Sequence, residues 1–113
     1  MKRGVHNFKA PTFSERVVAA ALAIPPGKVA TYGAISRAAG GGVMSSQSIT
    51  GVLSKAYEAG QHDIPFHRIV YADGRIWIDA KHRAERMRLY RQEGIEIDSK
   101  GRIKNFQDHL FEF

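Results

Sequence analysis

Not one of the 113 residues is a cysteine. That excludes a disulfide framework and removes the thiolate, the strongest neutral-pH nucleophile among side chains. Long apolar runs are lacking as well. Ala19 to Ile24 is the longest small-apolar stretch and stops at Pro25-Pro26, far short of the roughly 20 residues of a membrane span. The sequence also lacks the layout of a secretory signal, so the expected location is cytoplasmic, with no membrane partner. Acidic side chains are in deficit. Eleven Asp and Glu against 17 Lys and Arg leave a net charge of +6, an excess that favours a polyanion such as DNA or RNA. Local signatures of common enzymes are missing too. Gly40-Gly41-Gly42 lacks the Gly-Lys-Ser/Thr of a phosphate loop, and Ser45, Ser46, Ser48 and Ser54 show no nucleophile elbow. His62 and His67, with Asp63 and Asp73, match no zinc spacing, so neither a metal nor a cofactor is expected.

What is present suffices for one core. The chain is 43% hydrophobic and 25% charged, too apolar for disorder. Residues 1–10, with Lys2, Arg3 and Lys9, read as a basic flexible arm, and residues 11–113 as a single domain. Thr12-Phe13-Ser14-Glu15 is a capping box that opens a helix from Phe13 to Ala23. Pro25-Pro26-Gly27-Lys28 is a turn. Thr31 is a good N-cap for a second helix, Tyr32 to Ala39, which the glycine run ends. A third helix is predicted from Ser45 or Ser46 to about Tyr57.

That third helix has two faces. Ile49, Val52, Leu53, Ala56 and Tyr57 form an apolar stripe. Gln47, Ser48, Thr50, Gly51, Ser54 and Lys55 occupy the other side, almost free of long charged side chains. Small and hydroxyl residues there let a nucleic-acid backbone approach closely and can donate to phosphates. Two helices joined by a glycine-containing turn suggest a helix-turn-helix.

Downstream, His67 to Tyr71 and Arg75 to Ile78 read as strands around Asp73-Gly74, a type I′ hairpin signal. A helix from Ala80 to Glu93 ends at Gly94, and a second small hairpin turns at Asp98-Ser99-Lys100-Gly101. The aromatic tail, Phe106 to Phe113, is expected to pack back on the domain. The expected fold is mainly α with a small β-hairpin wing, a winged helix-turn-helix DNA-binding domain.

Ile64-Pro65-Phe66-His67-Arg68-Ile69-Val70 resembles the Pro-Cys-His-Arg-Val motif of the O6-alkylguanine-DNA alkyltransferases, with Phe66 in place of the cysteine. Ile24-Pro25-Pro26-Gly27-Lys28-Val29-Ala30-Thr31-Tyr32-Gly33 is similar to another segment of that family. A resemblance running from about Phe13 to Ile103 identifies the chain as a member of the alkyltransferase-like group, which binds alkylated DNA without repairing it.

The resemblance implies roles residue by residue. Thr31 and Tyr32 would contact DNA and rotate a phosphate so that the damaged nucleotide flips out. Gln47 stands where the family's intercalating Arg enters through the minor groove, and Ser48, Thr50, Gly51, Ser54 and Lys55 would share the DNA surface. Tyr32, Leu53, Pro65, Phe66, Ile69 and Trp77 would line the base pocket, with Asp79-Ala80 in place of a Tyr-Ser pair. His67 and Glu93 would be the remnant of the relay that deprotonates the missing thiol. The implied partner is double-stranded DNA containing O6-alkylguanine, bound by a monomer that flags the lesion for nucleotide excision repair proteins. From another class, the alternative is a winged-helix transcriptional regulator without lesion specificity. It would read the major groove with bidentate Arg, Asn or Gln contacts. The third helix offers only Gln47 and Lys55 for that.

Overall fold

Thr12 starts the first helix as its sequence predicts. Its Oγ1 accepts from the Glu15 N–H at 3.1 Å, and Glu15 Oε1 accepts from the Thr12 N–H at 2.8 Å, so two orphan donors of the helix end are satisfied. The computed structural model describes residues 10–42 and 46–113. Nearly all of the expected basic arm, with Val43 to Ser45, lies outside the described residues.

Helix α1 is Phe13–Leu22 and buries Val17, Ala20 and Ala21. Strand β1, Ala30–Thr31, leads directly into α2, Tyr32–Ala38, whose N-cap Thr31 accepts from the Ala34 N–H at 3.1 Å. Helix α2 closes with Gly40 at φ +84 and with the Gly41 N–H donating to the Ser36 carbonyl at 2.9 Å. Gly41 also has a packing reason to be glycine. A Cβ there would lie 2.7 Å from the Phe13 ring and 2.9 Å from Ser36 Oγ. Helix α3, Ser46–Glu58, follows. Its inner residues Ile49 and Leu53 join Val17, Ile24 and Ile35 in a first apolar cluster, the core of the three-helix unit.

Tyr57 departs from the expected stripe. It is 45% exposed and lies outside the core. Its ring packs on His62 at 4.6 Å and on the edge of Phe66 at 5.9 Å.

Phe66–Arg68 forms a 3₁₀ turn, followed by strand β2, Ile69–Val70. The sheet is parallel, with Ala30 opposite Ile69 and Thr31 opposite Val70. Parallel strands need a long crossover, which α2 and α3 supply. Strand alternation then divides the protein. Ala30 and Ile69 face the first cluster, while Val29 and Val70 face a second built with Tyr90, Ile95 and Ile103.

The mostly helical fold with a small sheet and a wing is as expected, but the wing is built differently. The strand predicted over 67–71 is shortened to two residues and pairs with β1, not with 75–78. Only the turn of the expected hairpin forms: the Gly74 N–H donates to the Tyr71 carbonyl at 2.9 Å, and the Tyr71 N–H to the Arg75 carbonyl at 3.0 Å. Beyond it, Arg75 bridges Arg102 of the C-terminal segment. The predicted second hairpin is present, with Ile97 opposite Ile103.

Helix α4 is Arg83–Gln92, later than the predicted start at Ala80. The Asp79 carboxylate captures the His82 N–H at 2.9 Å and holds the chain in a turn there. Helix α5, Phe106–His109, begins the tail, which does pack back. The Val29 N–H donates to the His109 carbonyl and the Phe111 N–H to the Val29 carbonyl, both at 2.8 Å. Phe106 seats on Gly74.

Candidate nucleic-acid interface

Helix α3 presents the outer face that its sequence predicts. Gln47, Ser48, Thr50, Gly51, Ser54 and Lys55 are all exposed. A Cβ on Gly51 would meet nothing within 4 Å, so packing does not require glycine there. Beside this face opens a cleft of about 1100 Å³, slightly above the roughly 300–1,000 Å³ common for drug-sized ligands. Gln47, Thr50, Gly51 and Ser54 form its α3 side. Tyr32, Leu53, Pro65, Phe66, Ile69 and Trp77, the expected pocket residues, all line it. Thr31 stands outside the cleft; its Oγ1 is engaged in capping α2, which leaves its O–H to donate. Ser48 and Lys55 line a neighbouring groove between α1 and α3.

The cleft walls are aromatic. Tyr32 and Tyr71 rings lie 5.4 Å apart, and the Arg75 guanidinium stacks over Tyr71 at 4.7 Å. Burial raises the Tyr32 phenol above its ordinary range, against a hydrogen bond with Thr50. Phe66 is half-buried with Tyr57 against its ring, and Trp77, half-exposed, also lines the cleft.

Behind Phe66 lies a buried polar cluster. Glu93 Oε2 is 2.7 Å from His67 Nε2 and accepts from Arg68 Nη2 at 2.8 Å. Glu93 Oε1 accepts from Arg68 Nε at 3.1 Å and from the Gly27 N–H at 3.0 Å. Arg68 Nη1 donates to the Ile24 carbonyl at 2.9 Å. Burial alone would raise the Glu93 carboxyl. Its hydrogen bonds from Arg68, His67 and Gly27 outweigh that and hold it at about 2. For His67 burial wins over the Glu93 carboxylate, and its pKa falls below the ordinary 6.5. At neutral pH the ring is therefore uncharged, and its Nε2–H donates to Glu93. The His67 carbonyl accepts from the buried Tyr90 hydroxyl at 2.7 Å.

This arrangement can bind and orient. It also keeps a neutral histidine backed by a carboxylate, the pairing that activates a nucleophile. The side chain beside it at position 66 is a phenyl ring with no proton to give. No group of three or more metal-ligating side chains occurs among the described residues.

Several cleft residues escaped the sequence reading: Tyr57, His62, Tyr71, His82 and Arg86. A signal existed for part of the set. His82, Glu85, Arg86 and Leu89 recur at helical spacing, and this face of α4 and its N-cap lines the cleft.

Comparisons with known proteins show the family and the fold. Residues 12–95 match the family described as 6-O-methylguanine DNA methyltransferase, DNA binding domain. Over 95 residues the chain is 30% identical to proteins named DNA base-flipping protein from Escherichia coli (strain K12) and Shigella flexneri, covering 84% of this chain and 71% of each relative. The fold superposes on S. pombe Atl1 in complex with damaged DNA containing O6-carboxymethylguanine. That match has a TM-score of 0.70 and 26% identity, over 89% of this chain and 95% of that one. A second structure, S. pombe ATL in complex with DNA, gives a TM-score of 0.68 and 28% identity over the same shares.

Proposed function

Because the chain belongs to the family of the 6-O-methylguanine DNA methyltransferase DNA-binding domain, we propose that it recognises O6-alkylguanine in duplex DNA and holds it without reacting. Phe66 carries this reading. It sits in the cleft beside an intact His67–Glu93 pair, in a chain with no thiol anywhere. The relay survives, and the acceptor it would serve is gone.

In this reading α3 lies in the minor groove. Its small outer residues let the backbone come close, Thr31 and Tyr32 meet the phosphates, and Gln47 takes the place vacated by the flipped nucleotide. The base enters between Tyr32 and Trp77 with its O6 adduct toward Phe66. Aromatic walls stack on a base of any adduct size. An unreacted lesion must be removed by other proteins. Recruitment of nucleotide excision repair by the bound monomer therefore completes the proposal. A major-groove regulator fits less well, since the outer face of α3 offers few long bidentate donors.

The test compares matched duplexes carrying guanine or O6-methylguanine. Tighter binding to the lesion is expected, with intact mass showing no methyl transferred to the protein. Equal affinity, or a stoichiometric methyl adduct, would sink the reading.

A further inference from the structure

Building on that lesion-recognition reading, we propose that Arg86 sets the adduct specificity of the cleft, and that its planar guanidinium selects O6 adducts ending in a carboxylate. Arg88 also lines the cleft but is exposed, and Arg68, His67, Tyr32 and His82 are already committed. Arg68 spends its donors on Glu93 and the Ile24 carbonyl. His67 Nε2 serves Glu93, Tyr32 pairs with Thr50, and His82 Nδ1 lies 2.8 Å from Asp79.

Arg86 differs. It is half-buried on the cleft face of α4. Among the described residues its side chain makes one hydrogen bond, from Nη1 to the Trp77 carbonyl at 3.2 Å, and no ion pair. That bond fixes the guanidinium and leaves its other donors unused. Its charge reaches Tyr32 on one wall and His67 behind the floor. Arg86 and Phe66 line the same cleft, so the cation stands within the space an adduct would enter.

The counter-charges do not cancel it. Asp79, the carboxylate whose field reaches Arg86, already accepts from the His82 N–H and faces the His82 ring. Glu85 is exposed at the rim, where solvent and salt screen it. A half-buried guanidinium interacts more strongly with a carboxylate than a fully exposed one does. A carboxylate matches its fork with two parallel hydrogen bonds, and a neutral amide of the same shape cannot return both.

Two duplexes test this, one with O6-carboxymethylguanine and one with its neutral isostere O6-carbamoylmethylguanine, alongside O6-methylguanine and guanine. Wild-type protein is expected to bind the carboxylate at least about tenfold more tightly than the amide. Arg86→Gln should bring that ratio close to one while still preferring O6-methylguanine to guanine. A wild-type ratio of one or less overturns the proposal, as does a ratio that Arg86→Gln leaves unchanged. Should Arg86→Gln fail to fold, Arg86→Lys replaces it, keeping the charge without the fork. A severalfold drop is then expected, and an unchanged ratio overturns the proposal. If wild-type protein does not separate O6-methylguanine from guanine, the lesion-recognition reading fails and this proposal falls with it. If it does, and the two isosteres bind equally, only the role of Arg86 is refuted.

Discussion

Glu93 holds His67 at 2.7 Å and Arg68 at 2.8 Å through the same carboxylate oxygen. The carboxylate thereby ties the C-terminal end of α4 to the turn that carries Phe66, and through Gly27 to the turn after α1. A carboxylate at a helix C-terminus faces the wrong end of the helix dipole. Here the hydrogen-bonding contacts from His67, Arg68 and Gly27 compensate. These contacts join three segments of the chain.

Glu93→Gln should therefore act on stability. It leaves the Arg68 guanidinium, only 17% exposed, without its counter-charge. Breaking one side of such a buried pair costs about 3–5 kcal/mol. Urea unfolding should show a lower midpoint, and the ratio of lesion to undamaged binding should stay as in wild type. A changed ratio with unchanged stability would contradict the structural role.

The same cluster predicts an acid dependence with a definite sign. Folded Glu93 titrates near 2 and an ordinary glutamate near 4.5, so between those values the unfolded chain binds more protons. Its stabilisation is full above about 4.5 and is lost as pH falls toward 2. His67 adds to the loss earlier, because unfolding lets it take up a proton near the ordinary 6.5. Melting temperature should fall steadily on acidification below neutral, and Glu93→Gln should flatten the lower part of the curve. A melting temperature that rises on acidification would reverse the sign.

Phe66 is the test of the cleft itself. Phe66→Ala removes an aromatic surface from a flipped base, worth about 1–3 kcal/mol, on the order of ten- to a hundredfold in affinity. The loss should be greater for O6-alkylguanine duplexes than for undamaged ones. If only the melting temperature falls and the ratio holds, Phe66 is a core plug.

The outer face of α3 makes an opposed prediction for stability and binding. Gly51→Ala should stabilise the helix by about 1 kcal/mol, since the new methyl meets nothing within 4 Å. It should weaken DNA binding if the backbone of a nucleic acid occupies that space. Gln47→Arg should strengthen lesion binding by adding charge and a stacking plane. Unchanged affinity in both variants would place this face away from DNA.

Gly41 carries a purely structural prediction. Gly41→Ala forces a methyl against the Phe13 ring and Ser36 Oγ, an overpacking of about 1–3 kcal/mol. Thermal denaturation should show the drop, and Gly42→Ala, with open space around it, should show far less.

The local elements were legible from sequence because their stabilising contacts lie within one turn of chain. Thr12 with Glu15 and Thr31 with Ala34 are each three residues apart, and the spacing alone encodes them. The motif around Phe66 was legible through its resemblance, and the missing thiol through simple absence. Strand pairing was not. Asp73-Gly74 specified a turn, but the partner of Ile69–Val70 is Ala30–Thr31, about forty residues away, and burial of Val70 beside Val29 decides it. Tyr57 obeyed the helical period of the stripe, yet at the end of α3 the core has already ended, so its ring turns to Phe66. The charged partners were likewise settled by packing. Sequence places Lys81, Arg83, Arg86, Arg88 and Arg91 on or near α4 without distinguishing them. Only the seating of α4 against the cleft leaves Arg86 half-buried and free of an ion pair among the described residues, because burial and pairing depend on which surfaces meet, and periodicity carries no information about that.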